Sequence, residues 1–503
     1  MTTSKTKEKW ILYRHERDMM TLTIGTALTL KTTAKGGLSK EAKNNILINL
    51  NQTGLFSQRN PKLTLDSATH KINHLIAYMF GYATRVSGKK FFIFNSLGNL
   101  LLKKLQEKSN SNEIAKIFLA MLWAKQFPDD FGTPRSINVY PYRIIFKLLI
   151  DDRLDCKLYA FEFSYWIPFL KSIDDKKYEK VVKSLLIMRQ LSDSKIKKMF
   201  KNGKIKNEHV LVNSVYEWDY YISNYLVDMG IISRVENPKF ICKVAHPQFK
   251  NSKSQPTKRK VTRNYVTLNP KLRELCLEFL DKYPFTAIPL RYDDNTKLTD
   301  DVIESINKFY PIELLNSINM KQDDRSLAVS NLPELLRKNA RAPDMDILSK
   351  VAVGNKLENT LVDVFNSFSD VRATGLGGAG RADIECVYNG NEKFASDAKA
   401  TGTKLTQIKT RRLHHHRKLL GAKYTIIVTP DYTPSVLEDI RSTSNYIIKA
   451  DVLAEYLRQH FDNDIRDISW KEIDIILGKK RNGRDISKDI HELTISKFGT
   501  ETK

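Results

Sequence analysis

A multidomain chain is expected, with a mainly α N-terminal region, a helical linker and a C-terminal α/β domain. Three observations lead there. The 503 residues are enough for two to four domains with real cores. Helical apolar spacing dominates up to about residue 285, broken by a few short strand-like runs. Beyond about residue 346 strands and helices alternate, as in a sheet covered by helices on both faces. The expected divisions are therefore 1–285, 286–345 and 346–503.

In the first region Ser39 caps a helix within residues 38–56, and a second helix is expected over 70–83. Lys89 to Phe94 reads as a strand, Asn95-Ser-Leu-Gly98 as its turn, and Asn99 to Lys108 as a helix. Helix, strand, turn and helix ringed by lysines resemble a winged-helix element. An apolar helix follows at Pro141–Leu149, another begins at Phe161-Glu-Phe163, and 176–206 is helical and basic. Asn213 to Met229 reads as a long helix closed by Gly230. Ile231–Val235 and Tyr265–Leu268 form a strand pair, and Leu272–Leu280 is a helix, so this passage also resembles a winged helix. Between the paired strands lies a tip, residues 246–264, with Lys250, Lys253, Lys258, Arg259, Lys260 and Arg263 among Ser, Asn, Gln and Pro. Such a segment cannot bury a core and should be mobile when free.

The linker is expected to hold two or three helices, one capped by Thr299 and running to Tyr310, another with Pro333 in its first turn and ending at Asn339.

Composition narrows the partner. Lys and Arg number 82 against 57 Asp and Glu, a formal net charge of +25. The basic residues run throughout the chain, which suits a polyanion whose phosphates release counterions on binding. The four cysteines, Cys156, Cys242, Cys276 and Cys386, share no metal-knuckle spacing and read as reduced, buried thiols. No apolar run reaches membrane-spanning length and no signal-peptide core follows Met1, so a cytoplasmic location is expected. The absence of any GxxxxGK[ST] run removes ATP-driven translocation from consideration.

The chemistry is concentrated near residue 390. Arg381-Ala-Asp383-Ile-Glu385 opens a strand that continues through Tyr388, Asn389-Gly-Asn391 is a hairpin turn, and Lys393 to Ser396 leads the return strand into Asp397-Ala-Lys399. Residues i and i+2 share a face of a strand, so Asp397 and Lys399 point the same way. Asp383 can reach the same place from the paired strand. Two carboxylates and the Ala398 carbonyl suit Mg²⁺, which keeps several waters. Lys399 beside them can orient an attacking water or stabilise charge on a phosphate. The glycine run Gly375-Leu-Gly377-Gly-Ala-Gly380 has the letters of a dinucleotide fingerprint but is followed by a strand, so it reads as a turn at the mouth of the site.

At Asp383 and Asp397-Ala398-Lys399 the chain resembles the PD-(D/E)XK nuclease superfamily, with Ala382 where the family often has proline. The resemblance implies an α/β/α core and an acidic residue on the helix before the first strand. Glu358 fits that place, beside the apolar stripe Leu357, Leu361, Val364 and Phe365, as a ligand or metal-orienting residue. It also implies a glutamine or glutamate on the first turn of the next helix, where Gln407 falls at the start of a basic helix over Thr406–Leu420 that carries Arg411, Arg412 and His414-His-His416. Consecutive histidines point about 100° apart on a helix, so these three read as phosphate-facing or surface groups. A strand at Lys423–Val428, a helix from Val436, a strand at Asn445–Ile448 and a helix capped by Asp451 complete the order.

Taken over nearly the whole chain, the layout resembles the AlwI-like type IIS restriction endonucleases. That resemblance implies Mg²⁺-dependent cleavage of double-stranded DNA a short fixed distance from an asymmetric sequence. Glu358, Asp383, Asp397 and Lys399 are then catalytic. Lys250, Lys253, Lys258, Arg259, Lys260, Arg263, Gln407 and Arg411 contact DNA. With one site per chain, a double-strand break needs a transient homodimer or a small catalytic subunit. Readings that stay open are a strand-specific nicking endonuclease, the large subunit of a heterodimeric enzyme, a winged-helix DNA-binding protein with an inactive nuclease fold, and a structure-directed repair or transposon-end nuclease.

Overall fold

A computed structural model describes residues 8–12, 19–32, 40–52, 65–129, 133–202, 208–245, 258–289, 312–318, 323–338, 347–376, 383–400, 404–478 and 482–499. Helices Met19–Thr32, Lys40–Gln52 and Leu65–Ala77 begin the N-terminal region. The third stops earlier than its apolar spacing suggests, because residues 81–86 alternate as a strand. This strand, β1 (Gly81–Val86), pairs antiparallel with β2 (Lys89–Phe94) across Ser87 and Gly88, both at positive φ. Asn95 is not a free turn residue. Its side chain accepts from Gly98 N at 2.7 Å and caps the helix Ser96–Gln106, while its own amide donates to Phe80 O at 3.0 Å.

That junction is tight: a Cβ on Gly98 would stand 2.0 Å from the Phe80 carbonyl oxygen. Both partners are backbone and cannot swing aside. Gly98→Ala should therefore destabilise the N-terminal core by about 1–3 kcal/mol, in line with other overpacking substitutions. Urea unfolding followed by tryptophan fluorescence checks this; an unshifted midpoint would refute it.

A second sheet lies further along. Strand β3 (Lys157–Tyr159) precedes the helix Ala160–Trp166. The long helix expected before Gly230 is present from Glu208 to Asp228, but residues Trp218–Ile222 are wound as a π segment. Gly230, at φ +71°, then ends it. β4 (Ile232–Val235), β5 (Phe240–Ala245), β6 (Lys258–Thr262) and β7 (Tyr265–Leu268) follow. β7 sits between β3 and β4, and β5 pairs with β6 as a separate ribbon.

This corrects the expectation of a mobile tip over 246–264. Residues 258–262 are strand, because Val261, Cys242 and Val244 are buried in a small core with Ile196, Phe200, Leu211 and Val215. The lysines flanking those apolar residues hid the alternation. Lys250 and Lys253 lie outside the described residues. The expected helix from Thr299 to Tyr310, most of the glycine run and Ala382 lie outside them as well.

The helix Ile312–Ser317 and the residue after it contribute Leu314, Leu315 and Ile318 to the large N-terminal core, whereas Asp324–Lys338 contributes Ala328, Val329, Leu332 and Leu336 to the C-terminal one. Pro333 is in the interior of the latter helix, not its first turn. The helix starts nine residues earlier than its proline suggests, because the Asp323 carboxylate accepts from Ser326 N at 2.7 Å and fixes the first turn there.

The helix Ile347–Phe365 leads into a six-stranded mixed sheet of β8 (Val371–Gly375), β9 (Ile384–Tyr388), β10 (Glu392–Ala398), β11 (Tyr424–Thr429), β12 (Asn445–Lys449) and β13 (Arg484–Asp485). Strand order is β13-β12-β11-β10-β9-β8, with β8, β9 and β10 antiparallel and β10 to β13 parallel. Alternate residues feed two cores. Ile426, Val428, Tyr446 and Ile448 join the helices Ile347–Phe365 and Ala450–Asp462, while Ile427 and Ile447 join the helices Thr410–Leu420 and Ser435–Ile440. Both faces are thus covered, which is why Tyr424–Thr429 is buried throughout. Asp451 lies in the first turn of its helix, whose N-cap is Lys449, and the helix continues to Asp462.

The two halves meet along the β1–β2 hairpin. Tyr82, Phe91 and Ile93 pack with Ile495 and Phe498, and Gln459 Nε2 donates to Phe94 O at 2.7 Å. Cys242, Cys276 and Cys386 are buried free thiols; Cys156 is half-buried, so it departs from that expectation. No helix among the described residues is long and apolar enough to cross a membrane.

Candidate active site

The β9–β10 hairpin positions the reactive groups. Asn389 and Gly390 both take positive φ, +50° and +89°, as a tight turn that follows the strand twist requires. The last ladder pair is Ser396 with Ile384. The next donor, Ala398 N, goes to Asp383 Oδ2 at 2.7 Å. One hydrogen bond therefore draws the Asp383 carboxylate to the end of the strand that carries Asp397. On the other side Lys399 N donates to Val428 O at 2.9 Å, which continues the parallel pairing with β11 one residue past β10.

Asp397 is fully buried, and Lys399 Nζ pairs with its Oδ1. The shared face expected from i, i+2 spacing is thus realised as a contact. Asp397 Oδ2 has no hydrogen-bond partner among the described residues, and Arg412 Nη2 lies 3.8 Å from it. Burial pushes the Lys399 ammonium down to about 8, against the pull of Asp383, and Arg412 adds to the lowering. Glu358 lies half-buried on the Ile347–Phe365 helix, with its carboxyl raised by burial and by the charge of Asp383. It is near enough to feel that carboxylate. Among the described residues, however, no three His, Cys, Asp or Glu side chains close into a group that could hold an ion.

The helix behind the strand supplies two groups that sequence reasoning did not place at the site. Arg412 reaches Asp397, and His416 is buried with an Nδ1 that has no hydrogen-bond partner among the described residues. Burial lowers the His416 imidazole, Arg412 and His415 lower it further, and Asp383 opposes them. His416 is therefore no surface group, whereas His415 is exposed and His414 pairs with Arg417 at 3.0 Å. The signal was available, since Arg412 and His416 are four residues apart and so share a face. Gln407 is exposed and precedes the helix, which starts at Thr410. Backbone bonds hold its segment extended: Leu405 N to Asp431 O at 3.0 Å and Thr433 N to Leu405 O at 2.8 Å, with Ile408 N reaching Asp439 Oδ2 at 2.8 Å. Arg411 is exposed on the first turn.

The cationic residues on and beside the β5–β6 ribbon are far from uniform. Lys258 and Lys260 are exposed on β6. Arg259 lies over the Tyr216 ring at 3.9 Å, and Arg263 is tied to Asp193 Oδ1 at 2.8 Å and Leu191 O at 3.1 Å.

Paired carboxylates flanked by a lysine and an arginine serve an enzyme whose substrate carries phosphates, and with the excess of basic residues the class that fits is an endonuclease. Residues 5–283 match the family model described as type II restriction endonuclease HgaI, N-terminal domain. The chain is 39% identical over 495 residues to the type II restriction enzyme HgaI of Avibacterium volantium, covering 97% of this chain and 98% of that protein. It belongs to the type II restriction endonuclease HgaI family. Among solved structures, the BpuJ1 endonuclease binding domain in complex with modified DNA aligns with 62% of this chain and 97% of its own at 13% identity and a TM-score of 0.39. Restriction endonuclease FokI bound to DNA aligns with 95% of this chain and 99% of its own at 10% identity and a TM-score of 0.28. At such scores neither defines the fold.

Proposed function

We propose that the chain is a type IIS restriction endonuclease of the PD-(D/E)XK kind. It reads a short asymmetric sequence in double-stranded DNA through residues 1–285, whose hairpin-bearing passages are winged-helix-like. It cuts at a short fixed distance with the domain at 346–503. The observation that carries this reading is the Ala398 N to Asp383 Oδ2 hydrogen bond, which joins Asp383 to the Asp397–Lys399 pair at one strand end.

The donor set fits Mg²⁺. Asp397 Oδ2 is a buried carboxylate oxygen without a hydrogen bond among the described residues, and hard oxygens from Asp383, Asp397 and the Ala398 carbonyl leave room for waters. Bound there, the ion would supply Lewis-acid polarisation of the scissile phosphoryl oxygen. Glu358, coupled to Asp383, would orient the set from the helix side. Lys399 holds the water in line with the leaving oxygen, and its partly desolvated amine lets it do so with or without its proton. Arg412 faces the phosphate from the helix side, where the substrate's charge replaces that of Asp397, and buried His416 fixes its neighbourhood. With one such site per chain, cutting both strands takes a transient second copy or a small catalytic subunit.

Supercoiled plasmid incubated with the protein and Mg²⁺, followed by sequencing of the ends, tests the proposal. Linear product with ends at one offset from one asymmetric sequence supports it. Open circles nicked in one strand at that offset would make it a nickase, and intact plasmid would sink the catalytic reading. Arg412→Gln should lower the single-turnover rate by about 10²- to 10³-fold, as removal of one preorganised charge-stabilising donor does. DNA affinity should stay level, so a parallel fall in affinity would assign Arg412 to binding instead.

A further inference from the structure

The recognition region holds a polar cavity of about 640 Å³ between the base of the β5–β6 ribbon and the Ser223–Asp228 helix, lined in part by Asp219, Asp228, Arg234, Glu236, Phe240 and Lys260. Its floor is fixed in place. Arg234 Nη1 donates to the Asp219 carbonyl at 2.8 Å, to Asn224 Oδ1 at 2.9 Å and to Ser223 Oγ at 3.2 Å. Arg234 Nη2 lies 3.6 Å from Asp219 Oδ1 and 3.5 Å from Glu236 Oε1. Asp219 belongs to the π segment Trp218–Ile222, a widened turn of the kind that concentrates at functional sites.

The signs of the charges say what such a cavity is for. Asp219, Asp228 and Glu236 set three carboxylates against the cations Arg234 and Lys260, in a chain whose net charge is +25. A surface built for phosphates alone gains nothing from carboxylates, which repel the backbone. On the major-groove edge of a duplex the donors open to a carboxylate are the exocyclic amino groups of cytosine and adenine. Beside those amino groups lie the base acceptors that lysine and arginine prefer. The rim adds apolar contact. Phe240, which lines the cavity, is 46% exposed. Lys243 and Lys260 lie 5.4 and 5.6 Å from the Phe240 ring centroid, so the ring is flanked by two ammonium groups on one two-stranded ribbon. A ribbon of two strands has the width that the major groove of B-DNA admits.

We propose that the β5–β6 ribbon enters the major groove and that this cavity reads base-pair edges. Glu236 and Asp228 accept from exocyclic amino groups, Lys260 donates to a neighbouring base acceptor, and Phe240 makes apolar contact at the groove wall. The inference rests on the reading of the chain as a site-specific endonuclease and names the groups that set its sequence.

The test reads binding, not cleavage. The full-length protein and its variants Glu236→Gln, Asp228→Asn and Lys260→Gln are each equilibrated with a random duplex library without metal, and the bound DNA is sequenced. The parent should enrich one asymmetric sequence. Each variant should lose discrimination at one base pair, by about 5- to 100-fold, and keep the rest. Lys258→Gln, on the outer part of the ribbon, should weaken all sequences alike. Parental preference at every position in all three cavity variants would overturn the proposal. So would uniform loss of affinity in all three with unchanged melting, or a parent that enriches nothing. A parent that enriches one sequence yet never cuts would overturn the endonuclease reading and leave the cavity assignment standing.

Discussion

Asp397→Asn is expected to reduce DNA cleavage by on the order of a thousandfold or more, equivalent to about 4 kcal/mol of transition-state stabilisation, while sequence-specific binding persists. The substitution keeps the volume of a fully buried side chain and removes only its charge. Lys399 loses the carboxylate that holds it, and the carboxylates proposed to hold the cation fall from two to one. Folding should not suffer. The native carboxylate is fully buried, and among the described residues one of its oxygens lacks a hydrogen bond, which costs free energy; the ion pair with Lys399 offsets that cost. Relief of the buried charge and loss of the ion pair oppose each other, so the melting temperature of the variant should stay close to that of the parent. Single-turnover cleavage, gel-shift titration and calorimetry on the same preparation decide the matter. Cleavage at the parental rate would remove Asp397 from the mechanism, and loss of binding in a folded variant would refute the division between reading and cutting.

The largest stability effect is expected at Trp470. Its ring is fully buried and stacked on Phe394 with centroids 4.6 Å apart, and it meets Phe368 edge-on at 4.9 Å and Phe365 at 5.8 Å. Its Nε1 donates to the Tyr424 hydroxyl at 2.9 Å. Phe394 is on β10, three residues before Asp397, so this aromatic stack supports the strand that carries the site. Trp470→Ala should cost about 3–5 kcal/mol, the usual range for emptying a buried aromatic position. Much of that loss should fall on the C-terminal domain, with cleavage failing at temperatures where DNA is still bound. Trp470→Phe, which keeps a ring and gives up the hydrogen bond, should lose less. Differential scanning calorimetry read beside a binding assay checks both, and an unchanged C-terminal transition in Trp470→Ala would refute the assignment.

What could be read from the amino-acid order was what short-range rules govern. Asn389-Gly390 specified a hairpin, i, i+2 spacing placed Asp397 and Lys399 on one face, and the Leu357, Leu361, Val364 and Phe365 stripe specified a helix. All are seen in the structure. What escaped depends on partners distant in the chain. Strand β8 is five residues long, and its Arg372 and Thr374 are exposed, so little marks it as a strand before β9 pairs with it. The ribbon of 240–245 and 258–262 has a basic composition that conceals a three-residue apolar face. His416 resembles its two neighbours in every local respect, and only the packing of its helix against the sheet separates it from them. Gln407 fails for the converse reason: a hydrogen bond from Ile408 N to Asp439 outweighs the helical preference of its segment.

The direction of the strands gives the six-stranded sheet two unequal ends. Strands β10, β11 and β12 all run toward the edge where Asp397 and Lys399 lie, while the Asn389–Gly390 turn caps the opposite edge. At about 3.3 Å per residue, that turn stands roughly 20 Å from Asp397. Its three residues Asn389, Gly390 and Asn391 are exposed, and a Cβ on Gly390 would meet nothing within 4 Å. This remote rim is where a fluorophore, an affinity tag or a whole fused module can be grafted onto the molecule, out of reach of the chemistry it is meant to report.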